Sequence, residues 1–307
     1  MKGRVFKSTG SWYDVRTDNG EAYPCRLRGK FKLKGLKVTN PIAVGDLVGF
    51  YLEENEEKTG VITEIFPREN YIIRKAIKKS AHRHIIAANI DQAILIATLT
   101  FPETSLGFID RFLVTAETFR IPVLLVFNKS DLLIEQEIEQ VNEVMKMYEN
   151  IGYSSYLISA LDKKSIEQFS ALIKGKTSLI SGHSGVGKST LLNNIIPEIN
   201  QKTMEISHFA KKGVHTTTFA EMFAVDEDTF LIDTPGIKEL GLVEIGNEEL
   251  YHYFPEMRTL MGQCKFHNCT HTHEPKCAVL EAVEAENISL SRYYSYMSML
   301  EGDDNRR

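Results

Sequence analysis

TSLISGHSGVGKSTLLNN, residues 177–194, runs from an apolar strand-like segment through a glycine-rich turn into the opening of a helix. Gly182-His183-Ser184-Gly185-Val186-Gly187-Lys188-Ser189 within it fits G-x-x-x-x-G-K-[ST], a loop that cradles phosphate between strand and helix. The glycines let the backbone curl, so that successive N–H groups and the helix N-terminus face the phosphate oxygens. Lys188 then reaches the β and γ phosphates, the Ser189 hydroxyl binds Mg²⁺, and Thr190 follows in the first helical turn. A strand feeding such a loop predicts a parallel α/β sheet. The loop alone does not choose between ATP and GTP.

The choice of base comes from upstream. Asn128-Lys129-Ser130-Asp131 ends the apolar run PVLLVF and resembles the N-K-x-D guanine motif of GTPases. A carboxylate at Asp131 accepts from both guanine N1–H and the exocyclic amine, whereas adenine would turn a lone pair toward it. Asn128 is placed to tie this loop to the phosphate loop, and the Lys129 stem to cover the base, with Ser130 between them and Asp131. Ile158-Ser159-Ala160 resembles the short S-A motif whose backbone amides meet guanine O6. Downstream, Asp233-Thr234-Pro235-Gly236 matches D-x-x-G, in which Asp233 holds Mg²⁺ through water and the Gly236 N–H senses the γ-phosphate. Gly213-Val214-His215-Thr216-Thr217-Thr218 lies where a Mg²⁺-coordinating switch threonine belongs, and similarity to related families selects Thr217.

The order of these motifs is base loop, S-A, phosphate loop, switch threonine, D-x-x-G. An ordinary GTPase begins with the phosphate loop and ends with S-A, so this chain reads as a circular permutation. Such a rearrangement is sterically cheap because domain termini commonly lie close together.

Outside this block the texture changes. Residues 1–68 carry short β-like runs (GRVFKS, WYDVRT, YPCRLRGKFKLK, DLVGFYL, GVITEIF) broken by Gly, Pro and Asn, which predicts a small β-barrel of the OB type. Residues 69–241 alternate apolar strands (DQAILIATLT, PVLLVFNKSD, SYLISA, TSLISG, TFLIDTPG) with helical stretches and form the GTPase domain. Residues 242–307 read as helices around a cysteine cluster. The 307 residues, 43% apolar and 25% charged, are ordinary for globular protein, and no run approaches the roughly 18 apolar residues of a membrane helix. With no signal-peptide pattern at the start, the expectation is a cytoplasmic protein with no membrane partner. A net charge of −5 argues against nucleic-acid binding over the whole surface but allows a local basic patch.

Three of the four cysteines, Cys264, Cys269 and Cys277, fall within fourteen residues. With His271 they give C-x₄-C-x-H-x₅-C, a Cys₃His set suited to one closed, structural tetrahedral Zn²⁺. On spacing alone His267 and His273 compete for the fourth position.

Taken together, G-H-S-G-V-G-K-S-T, H-T-T-T, D-T-P-G, the permuted order and C-K-F-H-N-C-T-H-T-H-E-P-K-C-A-V resemble the RsgA (YjeQ) family over essentially the whole chain. The resemblance implies a GTPase stimulated by the small ribosomal subunit, built from an OB-fold, a permuted GTPase domain and a zinc domain. It also implies the 30S subunit and its 16S rRNA as partners, GTP and GDP as ligands, a role in late small-subunit maturation with departure on hydrolysis, and a monomer. It selects His271 as the fourth zinc ligand.

Arg26, Arg28, Lys30, Lys32 and Lys34 alternate with apolar residues and glycine, which in a strand puts all five cations on one face. No acid lies between Arg26 and Lys37, and an OB-fold presents such a face to RNA phosphates. Arg74-Lys75 to Arg83-His84 is a second basic segment at the domain boundary. Ras-like enzymes carry a water-orienting glutamine just after D-x-x-G, where this chain has Ile237. An aliphatic side chain cannot orient water, so that task falls to another residue or to the ribosome, and His215, ahead of the switch threonines, is the candidate residue. Two other classes stand beside a ribosome-stimulated enzyme. One is a GTP-switched RNA-binding assembly factor in which hydrolysis is incidental, kept open by Ile237; the other is a P-loop ATPase or kinase, disfavoured by Asp131.

Overall fold

The computed structural model describes residues 1–28, 40–54, 58–74, 84–196, 220–233 and 245–302, with only the backbone of 74 and 84. Lys30, Lys32, Lys34, the 75–83 stretch, His215, Thr217, Gly236 and Ile237 lie outside the described residues.

The five β-like runs at the N-terminus become β1 (Lys2–Ser8), β2 (Tyr13–Arg16), β3 (Ala22–Leu27), β4 (Leu47–Leu52) and β5 (Gly60–Ile65). They pair in the order β1-β2-β3-β5-β4, and β4 returns to β1, which closes the barrel. Alternation puts Val5, Tyr13, Val15, Cys25, Val48, Phe50 and Ile62 inside. A hairpin of β6 (Tyr71–Arg74) and β7 (His84–Ala88) follows, absent from the sequence expectation because its arms read as a basic boundary.

The central sheet contains β8 (Gln92–Ala97), β9 (Val123–Phe127), β10 (Ser154–Leu157), β11 (Thr177–Gly182), β12 (Glu221–Ala224) and β13 (Phe230–Asp233). Its order is β10-β9-β8-β11-β13-β12, parallel except for β12. All six residues of β8 are buried, as expected of a strand covered on both faces. Ala93, Leu95 and Leu125 point to one core, with α1 (Leu106–Thr118) and α2 (Glu135–Asn150) over it. Ile94, Ile96 and Val126 point to the other, under α3 (Lys163–Ile173) and α4 (Lys188–Ile195). Ser105 caps α1 by accepting from Phe108 N, and Asp162 caps α3 by accepting from Ser165 N.

The barrel and this sheet are continuous. β1 pairs antiparallel with β12 at Lys7↔Glu221, where Lys7 Nζ also lies 3.3 Å from the Glu221 carboxylate. Arg4 stacks on the Phe230 ring at 4.9 Å and donates to Thr177 Oγ1.

The C-terminal unit consists of a 3₁₀ turn (Leu250–Tyr253), α5 (Pro255–Arg258), the cysteine loop, α6 (Ala278–Glu284) and α7 (Leu290–Leu300). Its core of Leu250, Phe254, Met257, Val279, Ile288, Tyr296 and Met299 includes Val114 of α1. One helix of the central domain therefore contributes to two cores.

Candidate nucleotide site and metal cluster

The carboxyl ends of β8, β9, β10, β11 and β13 meet at one rim of the sheet, where an open α/β fold collects its ligand loops. The phosphate loop leaves β11 there and enters α4 through Gly187, whose φ of +92° lies in the left-handed region. A side chain at 187 would also collide with the Asn128 amide. Val186 is fully buried and anchors the loop, while Ser184, Gly185, Ser189 and Thr190 are exposed at the rim. Lys188 Nζ stands 3.5 Å from Asp233 Oδ1, so the phosphate-loop cation and the D-x-x-G carboxylate face one small space.

The base loop is tied to this rim by Asn128. Its Nδ2 donates to Val186 O at 2.8 Å and its Oδ1 accepts from Ala160 N at 2.9 Å, so one buried side chain joins three loops. Ser159 Oγ donates to Asp131 Oδ1 at 2.5 Å and orients the carboxylate. Lys129 adopts a φ of +70° and its Nζ donates to Phe101 O at 2.7 Å, which stretches the alkyl stem along one side of the base loop. The Ala160 amide, expected at guanine O6, is committed to Asn128 here, and a base would have to share or displace that bond. His183, read simply as a loop residue, packs its ring against that of Phe108 in the first turn of α1, with centroids 3.9 Å apart and planes tilted by 40°. No motif marks Phe108, and nothing local could have announced the contact.

On the barrel, Arg26 and Arg28 are exposed as the alternation predicts. The expectation of an unneutralised patch is corrected at Arg26, whose guanidinium bonds Glu53 at 2.5 Å. Glu53 ends up beside it because β4 and β3 both flank β5, an adjacency invisible from the local charge run.

The four metal-type ligands do converge. One donor atom each from Cys264, Cys269, His271 and Cys277 lies within 4.8 Å of the others. Cys264 Sγ is 3.6 Å from His271 Nδ1 and 3.9 Å from Cys277 Sγ, and His271 Nδ1 is 3.4 Å from Cys277 Sγ. These three spacings are close to the donor–donor separations of about 3.3–3.8 Å that a tetrahedral Zn²⁺ with bonds of about 2.0–2.3 Å requires. The cluster fits a zinc site. The choice left open by spacing and made by the resemblance agrees with the geometry: His271 is buried with a φ of +58°, while His267 and His273 are exposed and His273 pairs with Thr272.

Burial pushes the Cys269 thiol up to about 12, a cost that a coordinating cation reverses by holding the thiolate. Burial works against the Glu274 carboxylate as well, yet Thr270 and Thr272 donate to it and hold it well below the usual range. Tyr293 and Tyr296 hydroxyls donate to the carbonyls of His271 and Thr270, locking the ligand loop onto α7. Chelation at neutral pH is therefore expected to loosen the 264–277 loop and expose α7 to protease while leaving the barrel intact. Limited proteolysis read by mass spectrometry checks this, and Cys277→Ser is expected to reproduce the same cleavage without chelator.

Known proteins place these sites in context. Residues 65–243 match the RsgA GTPase family and residues 2–62 match the RsgA N-terminal domain family. The small ribosomal subunit biogenesis GTPase RsgA of Cytophaga hutchinsonii is 53% identical over 307 residues, covering 100% of both chains. RsgA 2 of Bacteroides thetaiotaomicron, bearing the same description, is 52% identical over 301 residues, 98% of this chain and 96% of its own. Among solved structures, YjeQ from Thermotoga maritima is 37% identical with a TM-score of 0.76, covering 100% of this chain and 99% of that one. YloQ, described as a circularly permuted GTPase, is 31% identical with a TM-score of 0.74, covering 100% and 96%. A phosphate loop, an N-K-x-D loop and an S-A loop at one rim, in permuted order between a closed barrel and a Cys₃His unit, agree with these matches, and the chain belongs to the RsgA family of GTPases.

Proposed function

We propose that this protein binds the small ribosomal subunit through its 16S rRNA during late maturation and leaves when GTP is hydrolysed. The observation that carries this reading is the joint presence of a guanine-type nucleotide rim and an RNA-suited barrel in one continuous sheet. The relatives named above are described as small ribosomal subunit biogenesis GTPases. In this reading residues 1–68 dock RNA, 69–241 bind nucleotide, and 242–307 form a unit held by one structural Zn²⁺ on Cys264, Cys269, His271 and Cys277. The protein acts as a cytoplasmic monomer.

The chemistry follows from the rim. Asp131 reads guanine N1–H and the exocyclic amine while Ser159 fixes its direction, and Lys129 covers the base. Lys188 exchanges Asp233 for the β and γ phosphate oxygens when nucleotide enters. Ser189, Thr217 and Asp233 would hold Mg²⁺, which supplies charge neutralisation to the β and γ oxygens. Gly236 N–H reports the γ-phosphate, and His215 positions the attacking water in place of the glutamine that Ile237 replaces. Arg28, Lys30, Lys32 and Lys34 contribute phosphate contacts, with Arg26 engaging RNA only as it leaves Glu53.

Single-turnover GTP hydrolysis with and without 30S subunits tests this. Wild type is expected to accelerate at least tenfold on adding 30S, and His215→Ala to lose most of that gain while keeping its affinity for GTP. An unchanged rate in wild type would favour the GTP-switched assembly factor, whose docking depends on nucleotide but not on hydrolysis. Undiminished stimulation in His215→Ala would remove that histidine from the mechanism.

A further inference from the structure

We propose that α1 is a mechanical link by which occupancy of the phosphate loop sets how the C-terminal unit is seated. Two joints on the first turns of one helix carry the idea. The Phe108 ring packs against that of His183 of the phosphate loop, with centroids 3.9 Å apart and planes tilted by 40°. Two residues on, Asp110 Oδ1 accepts from Arg292 of α7 at 2.7 Å. The geometry of a helix puts these residues about 3 Å apart along its axis and on nearly opposite faces, so the loop and the C-terminal unit hold the same turn from two sides.

Neither joint has slack. Residues 108–116 of α1 are all buried, so the helix cannot slide without disturbing both cores it serves. Arg292 is 1% exposed and forked: NH1 reaches Asp110, while Nε and NH2 reach the Glu256 carboxylate of α5 at 2.7 and 3.2 Å. Tyr148 of α2 donates to the same Asp110 oxygen at 2.8 Å. A hydrogen bond of this length weakens steeply with displacement and misalignment, so a shift of the first turn of α1 is felt directly at Arg292. Arg292 and Asp110 are 182 residues apart in sequence, so the C-terminal unit reaches α1 through side chains and not through a neighbouring stretch of chain.

Its physical content differs from that of the covalent route. The segment after Asp233 leads into the C-terminal unit and, by its D-x-x-G position, answers to the γ-phosphate. The α1 route starts at His183, in the loop that wraps the phosphates common to GDP and GTP. It therefore reports that a nucleotide is bound, whichever one it is. Coupling of this kind is reciprocal, so a change at the Arg292 end must alter nucleotide affinity by the factor with which nucleotide alters the seating.

Hydrogen exchange of α7 amides in the full-length, metal-loaded protein tests the link, with GDP and with a non-hydrolysable GTP analogue. In wild type both ligands are expected to slow exchange in α7 by at least threefold and to similar degree. Phe108→Leu keeps an apolar filler but removes the ring-to-ring contact, and is expected to abolish that response while GDP still binds. A response equal to wild type in Phe108→Leu, or no response to GDP in wild type, would overturn the proposal. A response to the GTP analogue alone would assign the coupling to the covalent route and overturn it equally. Asp110→Asn, nearly isosteric, gives a second reading by GDP titration: a shift in Kd of at least threefold that is non-additive with Phe108→Leu is expected, and strict additivity counts against the link. None of these measurements involves ribosomes, so they stand apart from the 30S assay.

Discussion

Asp131→Asn is expected to convert a guanine site into a xanthine site. In the proposed reading the carboxylate accepts from both N1–H and the exocyclic amine, and an amide replaces one acceptor with a donor that opposes the amine. Losing two charge-assisted hydrogen bonds is worth about 3–5 kcal/mol, so GTP affinity is expected to fall between roughly a hundredfold and a few thousandfold. Xanthine carries an oxygen where guanine carries the amine, and the amide satisfies it while still accepting from N1–H. The substituted side chain also keeps an oxygen for the Ser159 hydroxyl, which now donates to Asp131 Oδ1, so the loop retains its shape. Titrations with GDP and XDP on the purified variant check the exchange. Equal loss for both bases would mean that Asp131 supports the loop and does not read the base.

Truncation of Arg292 is the second large effect, and it concerns stability. Asp110 and Arg292 are 0% and 1% exposed in their side chains, and Glu256 is 5% exposed. Burial pushes the Arg292 guanidinium down, and the two carboxylates more than reverse this, so the cation stays charged inside the protein. Arg292→Ala leaves two acids facing a cavity, one of them already raised by burial, and is expected to cost about 3–5 kcal/mol. The triple replacement Arg292→Met, Asp110→Leu, Glu256→Leu removes every charge of the cluster. It is expected to recover most of that loss, because a buried ion pair contributes little beyond what well-packed apolar side chains supply. Urea midpoints from circular dichroism compare the three proteins. Stability of the single variant within 1 kcal/mol of wild type would mean that water reaches the cluster.

The two effects differ in how well the sequence announces them. Asp131 sits in a four-residue motif whose chemistry is complete in itself, and the parallel strands before each motif are continuous apolar runs such as the fully buried β8. The Arg292 cluster has no such signature, because its three members lie on separate helices and each passes locally for a surface charge. β12 was equally silent: Glu221–Ala224 offers four residues, and its partner is a strand from the other end of the chain. Short spacing left three histidines competing for the metal, and only the fold of the loop buries His271 while leaving His267 and His273 outside. The basic run that begins at Arg26 predicted the exposure of Arg26 and Arg28 but could not foresee Glu53, delivered by the path of the barrel. Local chemistry is legible where one segment carries it all, and lost where the fold assembles it from distant pieces.

The junction between β1 and β12 bears on how the central sheet's margin is covered. A strand at the margin of a sheet offers unpaired N–H and C=O groups to any other chain, and here that margin is Glu221–Ala224, two strands from the phosphate loop. The barrel stoppers it, with Lys7 and Glu221 adding opposite charges at the seam. A fragment lacking residues 1–65 would carry a raw edge beside its own nucleotide site, inviting self-association where the switch must stay free.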